Sequence, residues 1–243
     1  MRGVPRKFWI PIVAVAALAV LGGGGAYLYY FSGLRTAPPT LALASPSASA
    51  AATSTPSTAG TGAWTITTGS LAGYRVKEQF VGQSSTHEAV ARTSGVTGQV
   101  SITKSGTTYQ LTSATVTVQL GNLASVDQVA GYNVTNRDRI VQGSLGVNSF
   151  PTAVFVAQPV ALPAGVETGQ AVNVTVPGQL TIHGVTKDVT ASLQLRVTGA
   201  TAEIAGTIAT NMTDFGISPP SIGFTNVQPA VTIEVSLNLA QGA

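Results

Sequence analysis

Between residues 172 and 197 hydrophobic and polar positions alternate almost one for one. Val172, Val174, Val176, Leu180 and Ile182 share one parity. After a break, Val185, Val189, Ala191, Leu193, Leu195 and Val197 share another, with Thr186, Asp188, Thr190, Ser192, Gln194 and Arg196 between them. A period of two puts each set on one face of a strand. His183-Gly184 interrupts the pattern, and glycine accepts positive φ without steric cost, so the stretch G-Q-L-T-I-H-G-V-T-K-D at 178–188 predicts a turn between two long strands.

The same pattern recurs on both sides. Trp64–Ile66 predicts a short strand, and Tyr74, Val76, Glu78 and Phe80 alternate with Arg75, Lys77 and Gln79 in a second. Gly82–Ser94 is polar, contains His87 and reads as a loop. Gly95–Thr103 and Thr107–Thr112 predict a hairpin across Lys104-Ser105-Gly106, followed by Ala114–Leu120 with Val116, Val118 and Leu120 on one face. Val134–Gly143 is the one good helical stretch, with Asn133 or Thr135 as N-cap. Strands are further predicted at Ala153–Val160, Thr201–Thr210 and Ala230–Ala240, the last alternating Val231, Ile233, Val235, Leu237 and Leu239 with Thr232, Glu234, Ser236 and Asn238. About eight strands, each with one apolar face, must either pack as two sheets or close on themselves. Closure at eight strands leaves room for a filled core or one slender ligand.

Residues 8–31 break the alternation. They hold no charge, and 24 helical residues span about 36 Å, enough to cross a bilayer. Trp9, Tyr27, Tyr29, Tyr30 and Phe31 sit at its ends, where interfacial aromatics belong, and Arg2, Arg6 and Lys7 place the N-terminus in the cytoplasm. The expectation is a transmembrane helix at 8–31 after a basic tail at 1–7, with everything later extracytoplasmic. The alternative is a cleaved signal peptide, for which Ala42-Leu43-Ala44 is a late cleavage site. The glycines at 22–25 are either a helix-packing face or a weak spot in the span. Residues 32–62 are rich in Pro, Ser, Thr and Ala, and from 36 on carry no charge, which predicts an extended or disordered stalk. At a polyproline rise of about 3.1 Å per residue, 36–62 reaches at most roughly 80 Å. The folded domain is then 63–243.

Charged residues are only 9% of the 243, and there is no cysteine. The formal net charge of +3 is local: four of the twelve basic residues flank the apolar run, so 63–243 holds eight basic against nine acidic residues, a net of −1. A basic surface for nucleic acid is thereby disfavoured. His87 and His183 are the only histidines, without metal-ligand spacing, and no G-x-S-x-G elbow is present. The sequence thus predicts no metal, no cofactor, no catalytic group and no enzyme activity. Glu78 shares the parity of Tyr74 and Val76. Pointing inward, it needs a partner, because a buried unpaired carboxylate is costly, and Arg137 is the candidate. Arg137-Asp138 either caps the barrel end or contacts a headgroup, and His183 is either a turn residue or a contact at the same end. Asn133, Asn173 and Asn211 lie in N-x-T sequons.

Several pieces in order resemble the YceI-like family: A-G-Y-R-V-K-E at 72–78, R-T-S-G-V-T-G at 92–98, N-R-D at 136–138, F-P-T-A-V-F at 150–155, G-Q-L-T-I-H-G-V-T-K at 178–187, and D-F-G-I with Pro219-Pro220 at 214–220. The resemblance covers about 64–240. It departs at Asp188, where the family often has Pro, and at Met212, where it often has Arg. It implies an all-β, eight-stranded antiparallel lipocalin-like barrel that holds a long isoprenoid or similar lipid. The ligand-facing residues would then be Tyr74, Val76, Phe80, Val116, Val118, Phe155, Leu180, Ile182, Leu193, Leu195 and Phe215. Arg137, Asp138 and His183 would lie at the headgroup or barrel end. The competing expectation is a stalk-displayed interaction domain with a filled core and no ligand.

Overall fold

The computed structural model describes residues 37–45, 61–80, 86–128, 134–221 and 225–242. Its elements are β1 (Gly62–Ile66), β2 (Leu71–Phe80), β3 (Thr86–Thr93), β4 (Val96–Ser105), β5 (Thr108–Gln119), β6 (Ala124–Ser125), α1 (Val134–Ser144), β7 (Thr152–Ala157), β8 (Val160–Ala161), β9 (Val172–Ile182), β10 (Val185–Thr198), β11 (Thr201–Asn211) and β12 (Thr225–Gln241). Eight strands form a ring in the order β1-β4-β5-β7-β9-β10-β11-β12, every pairing is antiparallel, and β1 on β12 closes it. The barrel is therefore closed rather than two stacked sheets, and closure leaves the ring no free edge.

One long strand lets the ring close. β12 carries β1 on its C-terminal end, where Trp64 pairs with Gln241, and β2 along its N-terminal part, where Leu71 pairs with Ser236 and Phe80 with Thr225. β2 then carries β3, and β3 the short β6. Between β1 and β2 the chain steps aside at Gly69 (φ 84°), held by Ser70 Oγ donating to the Thr67 carbonyl at 2.8 Å. A bulge between Val227 and Val231 accommodates Pro229, which has no N–H for the ladder.

The hairpin at 182–185 is as tight as the sequence suggests. Ile182 pairs with Val185 across His183 (φ 53°) and Gly184 (φ 74°), the two positive φ values of a type I′ turn. Histidine tolerates that conformation better than most residues, and here Phe215 supplies a carbonyl 3.3 Å from Nδ1. The Phe150 ring meets the imidazole edge-on, with centroids 5.1 Å apart.

Three elements differ from expectation. Residues 86–93, read as loop, form β3, which pairs with β2 on one side and β6 on the other and buries Ala89, Val90 and Ala91. The stretches 107–112 and 114–120 are one strand, β5, in which Thr112 is the extra residue opposite Ser101/Ile102 of β4. The strand expected over 153–160 stops at Ala157, just before Gln158-Pro159, and resumes as the two-residue β8 on β5.

Residues 37–45, inside the stretch expected as an extended or disordered stalk, lie extended against the outside of the barrel, bonded to Arg75, Arg92, Arg196 and Glu234. These residues are held by polar side chains of the wall, not by a core of their own, and composition does not show such contacts. The span expected at 8–31 lies outside the described residues. Among the described residues no helix is long and apolar enough to cross a membrane.

Candidate functional site

Inward-facing side chains of the ring enclose a cavity of about 270 Å³. Its lining follows the strand parities: Val174, Val176, Leu180 and Ile182 from β9, Ala191, Leu193, Leu195 and Val197 from β10, and Val231, Ile233, Val235, Leu237 and Leu239 from β12. From Val227 to Leu239 the lining spans twelve residue steps of β12. At about 3.3 Å per residue and a strand tilt near 40°, the cavity is roughly 30 Å long. A volume this small spread over that length describes a narrow bore rather than a wide chamber. Ala72, Ala114, Ala153, Ala157, Ala191 and Ala202 all face inward, and their small side chains leave the bore open.

The two ends differ. One is shut by Trp64, 1% exposed, whose indole Nε1 is the one buried side-chain nitrogen or oxygen without a hydrogen-bond partner among the described residues. The other is polar, with Tyr74, Glu78, Arg137, Ser144, Thr210 and Thr225 all lining it. α1 lies across that end and adds Ile140 and Val141 to the lining, followed by Leu145 just past the helix, and Met212, Phe215, Ile217 and Pro220 complete it.

A buried charge network fixes the mouth. Arg137 on α1 donates from both terminal nitrogens to the Asp127 carboxylate, Nη1 to Oδ2 at 3.0 Å, and from Nε to Ser125 Oγ at 3.1 Å. The same guanidinium stands 3.5 Å from Glu78, and His87 Nε2 lies 2.7 Å from Asp127 Oδ2. Val90 N–H donates to Asp127 Oδ1 at 3.0 Å. Asp138, one residue on, accepts from the Ser125 amide and hydroxyl. Two adjacent helix residues thus pin α1 to the Ser125–Asp127 segment.

Burial sets the titration of Glu78 and Tyr74. It raises the Glu78 carboxyl above its ordinary value, against the pull of Arg137 and His87. It likewise raises the Tyr74 hydroxyl, so that group stays protonated. Burial alone would also raise Asp127, but hydrogen bonds from His87, Arg137 and the Val90 amide outweigh it and lower the carboxyl to about 2. A carboxyl held below its ordinary value stabilises the fold above that ordinary value and loses the contribution as pH falls toward the folded value. Asp127 should therefore contribute about 2 kcal/mol that disappears between about pH 4 and 2. Glu78, raised, works in the opposite sense, its contribution falling as pH rises above the ordinary carboxylate range. Denaturation of the protein between about pH 2 and 6 should show a steep acid loss that Asp127→Asn flattens. An unchanged acid slope in that variant would contradict the assignment.

Of the residues singled out from sequence, Tyr74, Val76, Val116, Val118, Phe155, Leu180, Ile182, Leu193, Leu195 and Phe215 line the cavity, as does Arg137. The side chain of Phe80 lies outside the described residues. Asp138 and His183 do not line the cavity: Asp138 serves Ser125, and His183 the turn and the Phe215 carbonyl. Glu78 points inward with Arg137 beside it, but the principal partner of Arg137 is Asp127, which sequence reasoning missed. Asp127 sits in a short non-periodic stretch. The signal that could have found it is Arg137 itself, whose buried two-pronged guanidinium calls for a carboxylate facing both prongs.

Residues 64–239 match the YceI-like domain. No curated protein matches the sequence. Among solved structures, a polyisoprenoid-binding domain from Saccharophagus degradans, implicated in plant cell wall breakdown, superposes with a TM-score of 0.52 at 10% identity, covering 74% of this chain and 98% of its own. BcnA from Burkholderia cenocepacia gives 0.46 at 20% identity, covering 68% and 95%. A Campylobacter jejuni YceI protein gives 0.38 at 15%, covering 67% and 84%. At these identities the likeness concerns the fold, and with the matched span covering most of the chain, this protein belongs to the YceI-like family.

Proposed function

We propose that this chain is a membrane-anchored, extracytoplasmic binding protein whose barrel takes a long-chain isoprenoid or similar lipid, with the tail in the bore and the polar end at Tyr74, Glu78 and Arg137. The observation that carries this reading is the bore itself, about 270 Å³ in volume, apolar along its length and polar at one end only. Each methylene taken from water into such a lining contributes about 0.8 kcal/mol, so a long tail needs few polar contacts. The charge balance favours a neutral polar end. Arg137 is already engaged by Asp127 and faces Glu78, and Met212, Ile217 and Pro220 add no cation to the mouth. A hydroxyl or carbonyl finds partners there, whereas a phosphate meets two carboxylates and, among the described lining residues, no arginine or lysine besides Arg137. A filled-core interaction domain accounts less well for the six alanines that face the cavity.

The anchor rests on the uncharged run at 8–31 and the basic residues before it. Binding is tested by titrating a fluorescent polyprenol, and a polyprenyl phosphate of equal length, into the detergent-solubilised full chain. Saturable binding of the prenol, at least about tenfold tighter than the phosphate, is expected. Tighter binding of the phosphate would reject the neutral-head reading, and no saturable binding of either would reject the lipid reading.

A further inference from the structure

The outer wall of the barrel carries a polar cluster that the cavity does not use. Glu234 on β12 is 0% exposed although it faces away from the bore. Its carboxylate accepts from Arg75 Nε and Arg92 Nε, each at 2.7 Å, and from the Leu41 amide at 3.2 Å. In register, Arg92 pairs with Gly73 and Gly73 with Glu234, so the arginine reaches across a glycine. A Cβ at Gly73 would meet Arg92 Cγ at 2.9 Å and the Ala91 carbonyl oxygen at 2.1 Å. Arg75 also binds Glu88 at 2.8 Å. Two arginines face two glutamates, so the cluster has no net charge to offer an anion. What remain are guanidinium N–H groups, and these meet main chain: Arg75 Nη2 donates to the Pro38 carbonyl and Arg92 Nη2 to the Pro39 carbonyl, each at 2.6 Å. At the far side of the wall Arg196 Nη2 donates to the Ala44 carbonyl at 2.7 Å.

The segment suits this wall. Pro38 and Pro39 have no N–H, hold an extended backbone and leave their carbonyls free for the arginines. Leu41 and Leu43 are half-buried while Ala42 and Ala44 are exposed, the alternation of a strand with one face down. Residues 37–45 pair with no strand, so side chains take the place of a ladder.

We propose that Arg75, Arg92, Glu234 and Arg196 form a main-chain clamp that fixes residues 37–45 of the same chain to the barrel wall and thereby sets how far the barrel stands from the bilayer. This rests on the anchor at 8–31. From residue 31 to residue 38 is seven residues, a reach of about 25 Å, whereas an unclamped chain to the start of β1 at residue 62 reaches about 100 Å. The clamp holds the cavity close to the membrane that would supply and receive its lipid.

The chain has no cysteine, so labels can be placed singly. In the full chain reconstituted in phosphatidylcholine vesicles, spin labels at Ala42→Cys and Gln194→Cys report the clamp. Energy transfer from a dye at Thr107→Cys to acceptor lipids reports the height. The protein is expected to show one narrow spin–spin distance and strong transfer. Leu41→Pro, which removes the amide that Glu234 accepts and leaves the barrel untouched, should broaden the distance and weaken transfer severalfold. Arg92→Ala should do the same from the wall side. A broad distance in the unaltered protein, or a height that Leu41→Pro leaves unchanged, overturns the proposal. A narrow distance in protein that fails to float with the vesicles overturns the anchor and the tether length with it, and leaves the clamp alone standing. A mature chain that begins after Ala44 overturns both, since every clamped carbonyl is then gone.

Discussion

Arg137→Ala is expected to cost the fold about 3–5 kcal/mol, because it leaves the buried Asp127 carboxylate without its bidentate partner and Glu78 without its cation. Arg137 is 5% exposed and Asp127 2%. Water therefore cannot replace what is lost unless the mouth opens. Glu78, already raised by burial, would rise further without the opposing arginine and take up a proton, which limits its share of the loss. Asp127, stripped of Arg137 but still beside His87, carries most of it. Because Arg137 also ties α1 to the barrel, the helix should loosen first, so hydrogen exchange in 134–144 should accelerate more than in β9 or β10. Arg137→Lys keeps the charge but not the fork, and should lose less. In urea denaturation, a loss below about 1 kcal/mol for Arg137→Ala would show that the network is not what holds the mouth.

Leu193→Phe should separate a bore from a packed core. Leu193 lines the cavity opposite Gly206, and its Cδ2 lies 2.9 Å from where a Cβ on that glycine would stand, so the side chain already lies over the gap the glycine leaves. Added volume can extend only into the bore. A phenylalanine there should weaken binding of a fluorescent polyprenol at least about tenfold, about 1.4 kcal/mol, with a melting temperature nearly unchanged. If the interior were packed, the same change would overpack it and cost about 1–3 kcal/mol of stability. A clear fall in melting temperature, with no lipid binding by either form, would contradict the bore and favour a filled interaction domain.

The parts legible from sequence were those written in local periodicity. In Val172–Val176 and Val189–Val197 hydrophobic and polar residues alternate strictly, and the inward set of those strands is set by parity alone. His183-Gly184 named its own turn, because two positive φ values need the chemistry those residues have. α1 was legible as the one stretch with helical character. The rest depended on contacts distant in sequence. β3 reads as polar loop because its buried residues are His87, Ala89, Val90, Ala91 and Thr93, and burial of two polar residues and two alanines comes from neighbours rather than from strong hydrophobicity. The Glu78–Arg137 pair could be anticipated from one misplaced carboxylate, but Asp127 and His87 join it only when β3 and the Ser125–Asp127 segment meet. The clamp on 37–45 was invisible for the same reason. Nothing in A-P-P-T-L-A-L-A-S forms a core. Its partners lie far apart in sequence: Arg75, Arg196 and Glu234 look like ordinary solvent-facing strand residues, and Arg92 falls in the stretch read as loop.

The central claim is that the bore holds a lipid tail. The most direct measurement is native mass spectrometry of the full chain released from its own membrane in mild detergent, followed by organic extraction and mass analysis of what the protein carries. The predicted result is a one-to-one adduct that extracts as a long-chain isoprenoid or similar lipid with an uncharged polar end, and that is lost in Leu193→Phe. A protein that flies without adduct, yields no lipid on extraction and takes up none when polyprenol is supplied would contradict the account.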